Sequence, residues 1–141
     1  MFRPHTHFNP PADSFEYMKK ANRSLITAIQ IETPQAAAIV DEIAAIEGID
    51  MLYIGPTDLK ANLQWCNGEI ADDKLKQIST QTARACQRYG KIAGHHCTVE
   101  EISQLYRKGF SVFGYAAASR LLATGAEDFI KQARKAESDG Q

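Results

Sequence analysis

Short apolar segments alternate with amphipathic segments along this chain. Four segments are nearly continuous in apolar character and rich in Ile, Val or aromatic residues, as expected for strands buried on both faces. They are Leu25–Ile31, Met51–Ile54, Lys91–Gly94 and Ser111–Tyr115. The segments between them repeat apolar residues at helical spacing. Such alternation predicts an α/β fold with parallel strands joined by helical crossovers.

The predicted helices have recognisable ends. Thr33 and Pro34 provide an N-cap and a first-position proline for one helix, and Gly48 is expected to end it. Its buried face is predicted at Ile39, Val40, Ile43 and Ile46. The other predicted helices are Asp72–Tyr89 before Gly90, Thr98–Tyr106 before Gly109, one around Ser14–Ala21, and Arg120–Ala136 with a break at Gly125. A long connection is expected at Leu59–Ile70.

Four βα units are half of a (β/α)8 TIM barrel, which needs roughly 250 residues. An open parallel sheet is the alternative, but no GxGxxG or Walker pattern follows any strand. We therefore expect a half-barrel domain over residues 13–137, with a flexible N-terminal tail at 1–12 and a C-terminal tail at 138–141. Because an isolated half would leave two sheet edges unpaired, we expect a homo-oligomer or a partner chain that supplies the rest of the barrel.

Composition excludes several classes of protein. The 141 residues are 44% hydrophobic and 23% charged, which argues against disorder, and the net charge of −1 argues against nucleic-acid binding. No apolar run approaches the ~20 residues of a membrane span, and no secretory signal is visible. Three cysteines without a CxxC spacing (Cys66, Cys86 and Cys97) indicate a reduced, cytoplasmic protein.

Candidate chemistry lies where the predicted strands end, because parallel α/β folds bind ligands there. Glu32 follows the first strand and Asp58 follows the second, so the two carboxylates are expected to project toward one space. Paired oxygen ligands, with other positions left to water and substrate, are typical of Mg2+ or Mn2+ sites. The alternative is that each acid only caps a helix or lies in its first turn.

The adjacent residues His95, His96 and Cys97 follow the third strand. Neighbouring side chains of a strand point to opposite sides, so at most one histidine would face the barrel centre. A proton donor and a soft-metal site with Cys97 are two possible roles. We favour a third, in which the histidines lie at the rim beside the helix cap at Thr98. Tyr115 is expected in the core.

Two longer motifs carry a family resemblance. Ile29-Gln-Ile-Glu-Thr-Pro-Gln-Ala36 and Gly48-Ile-Asp-Met-Leu-Tyr-Ile-Gly-Pro-Thr-Asp-Leu59 closely resemble the HpcH/HpaI aldolase family, and the resemblance runs from about Leu25 to the C-terminus. It implies a TIM barrel of the phosphoenolpyruvate/pyruvate type. It also implies a metal-dependent carbon–carbon lyase, a class II aldolase that acts on 2-keto acids through a pyruvate enolate.

Site residues follow from the same resemblance. Glu32 and Asp58 match the two metal-ligating carboxylates, with Mg2+ or Mn2+ as the implied cofactor. Gln30 matches the glutamine that contacts the pyruvyl group, and Thr57 matches the residue whose backbone N–H receives the substrate carboxylate beside Asp58. The family's catalytic histidine and arginine come from the first half of the barrel and have no match here. A truncated, non-catalytic metal- or keto-acid-binding module, or a subunit that needs a partner, is therefore the alternative.

Overall fold

The computed structural model describes residues 14–67 and 71–139. It contains one parallel sheet of four strands in the order of the chain. The strands are β1 (Ala28–Ile31), β2 (Met51–Ile54), β3 (Ile92–His96) and β4 (Val112–Gly114). All four lie within or next to the predicted apolar segments, so the predicted parallel α/β sheet is confirmed. The tail predicted at 1–12 lies outside the described residues.

Seven helices accompany the sheet in the described residues, and those that connect the strands cover one of its faces. The seven are α1 (Ser14–Ser24), α2 (Pro34–Ala38), α3 (Val40–Ala45), α4 (Pro56–Asn67), α5 (Ala71–Tyr89), α6 (Val99–Arg107) and α7 (Ala118–Asp139). The predicted glycine stops are confirmed, since Gly48, Gly90 and Gly109 all have positive φ angles. The Thr98 backbone N–H donates to the Glu101 carboxylate over 2.8 Å in a capping box that begins α6.

Alternate side chains divide each strand between two environments. Ile31, Leu52, Ile54 and Ala93 are buried against the helices. The same parity turns Gln30 and Tyr53 toward the opposite, open face, which would be the inner face of a barrel. Leu59, Leu63, Ile78, Cys86 and Phe110 complete the core from the helices and the loop before β4. The core therefore lies on the helical side of the sheet.

Three local predictions about helices are wrong. The predicted single helix after Thr33 is two helices separated at Ile39 (φ −110°, ψ 24°), which turns Ile39 and Ile46 outward to 45% and 53% exposure. The predicted long connection after Leu59 is mostly α4, because Leu59 and Leu63 are one helical turn apart and both buried. The predicted break at Gly125 is absent, and α7 runs through it.

The first and last helices differ from the others in their packing, and Phe15 and Met18 of α1 are 74% and 52% exposed. No residue of α7 is buried, and it exposes large apolar side chains at Leu121, Leu122, Phe129 and Ile130. None of the helices in the described ranges has the length and apolar character that crossing a bilayer requires.

Candidate functional site

The carboxyl ends of β1, β2 and β3 form one edge of the sheet. Ile31 pairs with Ile54, and Ile54 pairs with His95. The residues that come next, Glu32, Gly55 and His96, are therefore level with one another on three neighbouring strands. Because α4 begins directly after Gly55, its first residues lie at this same edge.

A hollow of about 220 Å³ opens at this edge on the inner face of the sheet. Three of the predicted substrate-binding and metal-binding residues line it together: Gln30, Thr57 and Asp58. The other lining residues are Tyr53, Gly55, Pro56 and His96. The structure thus places one amide, one hydroxyl and one carboxylate of the predicted residues around a single hollow.

Glycine makes room for the amide at the base of this hollow. A Cβ atom on Gly55 would lie 2.6 Å from Nε2 of Gln30, closer than side chains approach one another. Gly55 is also buried and accepts a hydrogen bond from the Leu59 backbone N–H over 3.0 Å. The missing side chain therefore leaves the space that the Gln30 amide occupies, and the Gly55 carbonyl accepts the first hydrogen bond of α4.

The start of α4 presents free backbone donors. Pro56, Thr57 and Asp58 are its first three residues, and the first N–H groups of a helix have no partner within it. Proline carries no N–H, so the amides of Thr57 and Asp58 are the ones available for an anion. The carboxylate of Asp58 is exposed beside them.

Glu32 lies one strand away from these residues. Its side chain is half-buried and is not part of the lining of the hollow, while its backbone oxygen accepts a hydrogen bond from Asn62 Nδ2 over 3.0 Å. Neither the Glu32 nor the Asp58 carboxylate forms an ion pair or hydrogen bond with another described residue. Two free carboxylates suit a hard cation that draws its other oxygen ligands from water and substrate.

His95 and His96 occupy opposite faces of β3. His96 is exposed on the inner face and lines the hollow. His95 is buried on the helical side, where its Nε2 lies 3.3 Å from Ser79 Oγ and its ring meets Phe110 edge-on at 5.2 Å. Burial lowers the pKa of His95 below its ordinary value. The prediction that the histidines lie at the rim is therefore wrong for His95, and the expectation that at most one of them faces the inner side is confirmed.

The soft-metal alternative finds no ligand set in the described residues, which contain no group of three or more His, Cys, Asp or Glu side chains suited to a metal. Cys97 is a buried free thiol, and burial raises its pKa. Tyr115 is 54% exposed, so its predicted place in the core is also wrong.

Tyr53 is the residue that the sequence reasoning missed. Its hydroxyl would lie 1.9 Å from a Cβ atom on Gly114, so the ring extends from β2 across β3 to β4. Gly94 lies beneath the ring, where a Cβ atom would be 2.5 Å from Cδ2 of Tyr53. Burial raises the pKa of the phenol, and the nearby Cys97 thiol adds to this rise. The hydroxyl therefore stays protonated at neutral pH.

The sequence profile of the HpcH/HpaI aldolase/citrate lyase family matches residues 9–123. The chain belongs to this family. It is 32% identical over 91 residues to a hydroxypyruvate/pyruvate aldolase of Delftia acidovorans. The aligned residues make up 64% of this chain and 34% of that relative. It is 33% identical over 98 residues to a 5-keto-4-deoxy-D-glucarate aldolase of Citrobacter koseri. The aligned residues make up 70% of this chain and 38% of that relative. The chain thus spans little more than a third of the length of these relatives.

Solved structures of the family share the fold. An HpcH/HpaI aldolase from Desulfitobacterium hafniense DCB-2 superposes with a TM-score of 0.71 at 21% identity, covering 88% of this chain and 48% of that one. A citrate lyase beta subunit from M. tuberculosis, solved with oxaloacetate and magnesium, superposes with a TM-score of 0.56 at 21% identity. The superposition covers 74% of this chain and 52% of that one. The predicted half of a TIM barrel is thereby confirmed.

Proposed function

We propose that this chain carries the metal-binding and keto-acid-binding half of a class II aldolase, a carbon–carbon lyase that acts on 2-keto acids through a pyruvate enolate. The observation that carries the proposal is the meeting of Gln30, Thr57 and Asp58 in one hollow at the carboxyl edge of the sheet. Glu32 follows the adjacent strand at the same level. The aldolase names of the sequence relatives support the same reaction class.

Glu32 and Asp58 would hold the divalent cation, Mg2+ or Mn2+. Their carboxylates have no ionic partner among the described residues, and oxygen donors are what these cations prefer. A bound cation there would supply positive charge that stabilises the enolate left by carbon–carbon cleavage. A structural neighbour bound to magnesium supports this choice of metal.

The substrate would be oriented by this chain's own donors. The Thr57 and Asp58 backbone amides at the start of α4 receive the carboxylate of the keto acid, and the Gln30 amide contacts the adjacent carbonyl. In a 4-hydroxy-2-keto acid, the C3–C4 bond then breaks. The hydroxyl loses its proton to water as the aldehyde forms, and the electron pair of the broken bond remains as the pyruvate enolate. The enolate then takes up a proton from water to become pyruvate.

A second candidate is a binding subunit that turns over only with a partner. The open inner face of the described sheet favours it, since apolar Ile92 and Val112 are 37% and 38% exposed there and β1 and β4 are edge strands. A second copy of this chain, or a separate chain, would cover that face, and a separate chain would also supply the proton-transfer residues. The free thiols of Cys86 and Cys97 support a cytoplasmic location for either form.

The decisive experiment compares two acids in the same helical position. Asp58 is the third residue of α4 and Asp73 is the third residue of α5, where it pairs with Lys76. Calorimetry with Mg2+ and oxalate, a mimic of the pyruvate enolate, is run on Asp58→Asn, Asp73→Asn and the unsubstituted protein. We expect Asp58→Asn to abolish Mg2+-dependent oxalate binding, and Asp73→Asn to leave it intact.

Equal effects of the two substitutions would show that Asp58 acts only as a first-turn acid, and would contradict the metal site. Metal-dependent release of pyruvate from a 4-hydroxy-2-keto acid distinguishes the two candidates. Turnover by the chain alone supports the lyase. Oxalate binding without turnover, together with a dimer or larger species on size-exclusion chromatography, supports the subunit that needs a partner.

A further inference from the structure

A second hollow, which we call the outer hollow, lies on the helical side of the sheet. It has a volume of about 230 Å³ and is bounded by residues of α4, α5, β3 and α6. Its most buried polar lining residues are Ser79 and His95, at 3% and 6% exposure. Because His95 and His96 lie on opposite faces of β3, this strand separates the outer hollow from the hollow at the carboxyl edge of the sheet.

The hydrogen bonds of His95 leave the Ser79 oxygen without a donor. The His96 carbonyl lies 2.6 Å from Nδ1 of His95 and can only accept, so the ring carries a proton at Nδ1. Burial lowers the pKa of His95, so the ring is neutral at neutral pH and its Nε2 carries no proton. Ser79 Oγ therefore donates to Nε2 over 3.3 Å, and no described group donates to Ser79 Oγ in return. A buried acceptor thus lies beside an open cavity.

Three lysines line the outer hollow, and two of them already have acidic partners. Lys60 pairs with Asp72 over 2.6 Å, and Lys76 pairs with Asp73 over 3.1 Å. The third, Lys108, is half-buried at the end of α6 and forms no ion pair with another described residue. The outer hollow therefore offers one ammonium group that an anion can meet with a charge-assisted hydrogen bond.

Acceptors in the outer hollow restrict the kind of anion. The Glu101 carboxylate lines it and accepts the Thr98 N–H with Oε2, while its other oxygen accepts no hydrogen bond from a described residue. An anion without a proton would be repelled by this carboxylate and would leave the Ser79 oxygen without a donor. An oxyanion that keeps a proton satisfies both sides, because its charged oxygens meet Lys108 and its O–H meets an acceptor.

Proton content separates the common oxyanions. A carboxylic acid has lost its only proton once it is charged, and sulfate carries none near neutral pH. Phosphate keeps at least one proton near neutral pH, so it carries negative charge and an O–H together.

We infer that the outer hollow binds a small tetrahedral oxyanion that carries a proton, of which hydrogen phosphate is the simplest example. Lys108 meets its charge, and Ser79 and Glu101 are the acceptors for its O–H. The inference goes beyond the proposed function and does not depend on it, because the outer hollow shares no lining residue with the hollow beside Asp58.

Phosphate and sulfate test this directly, because they are tetrahedral anions of similar size that differ in the proton. In calorimetry without Mg2+ and at constant ionic strength, we expect phosphate to bind roughly tenfold to hundredfold more tightly than sulfate, as one hydrogen bond to a charged group contributes. Lys108→Met should weaken phosphate binding roughly tenfold or more. The matched control is Lys131→Met, which removes an exposed lysine of α7 outside the outer hollow and should leave the affinity unchanged.

Two further variants test the acceptors. Ser79→Ala removes the buried hydroxyl and should reduce the preference for phosphate over sulfate. Glu101→Gln retains a residue suited to the capping box of α6 but removes the charge that repels sulfate, so it should also bring the two affinities closer together. A preference that both variants retain in full would overturn the inference.

Nuclear magnetic resonance locates the bound anion. Phosphate should shift the ring 15N signals of His95, because Ser79 links the anion to Nε2, and should leave those of His96 unchanged. Absence of phosphate binding, equal affinities for phosphate and sulfate, or binding that Lys108→Met leaves intact would overturn the inference. Shifts at His96 in place of His95 would put the anion on the other face of β3 and would also overturn it. Each of these outcomes leaves the proposed function intact, because that function is tested with Mg2+ and oxalate.

Discussion

Gly55 leaves open the space that the Gln30 amide occupies: a Cβ atom on Gly55 would lie 2.6 Å from Gln30 Nε2. We expect Gly55→Ala to displace this amide, because the end of a glutamine side chain moves more easily than backbone. The cost in stability should be no more than about 1 kcal/mol, the low end of overpacking. Oxalate binding with Mg2+ should weaken roughly fivefold to tenfold, as loss of one hydrogen bond predicts.

The control for this substitution is Gly125→Ala, which adds the same methyl group where no atom lies within 4 Å. It should leave oxalate affinity unchanged. If Gly55→Ala binds oxalate as tightly as the unsubstituted protein, Gln30 does not contact the keto acid.

Elements fixed by local signals could be predicted from the sequence. The glycines after α3, α5 and α6 mark helix ends because they take positive φ angles, and the capping box at Thr98 marks a helix start. Elements that depend on packing could not. Ile39 makes no side-chain cap for α3, so no local signal marks the separation of α2 from α3, and the helical state of α4 goes with the burial of Leu59 and Leu63.

The positions of three candidate residues could be predicted because a motif supplied them, and their roles stay predictions. Gln30, Thr57 and Asp58 follow strand ends that the sequence locates, and they share one hollow. Which histidine faces that hollow depends on the phase of β3, and a one-residue shift exchanges the two faces. The alternation of Leu52 and Ile54 with Tyr53 could have identified the inward tyrosine, because the flanking residues are the apolar ones.

Two glycines should respond oppositely to alanine. Gly125 lies inside α7 with open space around it, so Gly125→Ala should stabilise that helix by about 0.5–1 kcal/mol. Gly109 has a φ of 100°, so Gly109→Ala should cost about 1–2 kcal/mol. Because α7 has no buried residue, the effect of Gly125→Ala is measured by hydrogen exchange of the amides of α7. The effect of Gly109→Ala is measured by urea unfolding. Faster exchange in Gly125→Ala would contradict a continuous α7.

The burial of His95 predicts a loss of stability in mild acid. Burial lowers its pKa in the folded protein, and the nearby Lys108 also lowers it, while the His96 carbonyl and Glu101 oppose this shift. Below the ordinary value of 6.5, the unfolded chain therefore binds more protons than the folded one. The free energy of unfolding should fall as the pH decreases from 6.5 through the lowered pKa.

His95→Gln removes this titration. Urea unfolding of both proteins at intervals between about pH 8 and pH 5 should give curves that are parallel above the ordinary histidine pKa and converge below it. Curves that remain parallel over the whole range would mean that His95 does not contribute to the acid sensitivity.

The contact between Tyr53 and Gly114 can be tested with a double-mutant cycle. A Cβ atom on Gly114 would lie 1.9 Å from the Tyr53 hydroxyl but 3.2 Å from its Cζ atom. Gly114→Ala alone should therefore cost about 1–3 kcal/mol, and Tyr53→Phe should remove most of that cost. Gly94→Ala is the matched control, because its Cβ would meet Cδ2 of the same ring at 2.5 Å, which Tyr53→Phe retains. Urea unfolding should thus show an energetic coupling between Tyr53→Phe and Gly114→Ala, and none between Tyr53→Phe and Gly94→Ala. If the costs of Tyr53→Phe and Gly114→Ala simply add, the hydroxyl does not occupy this space.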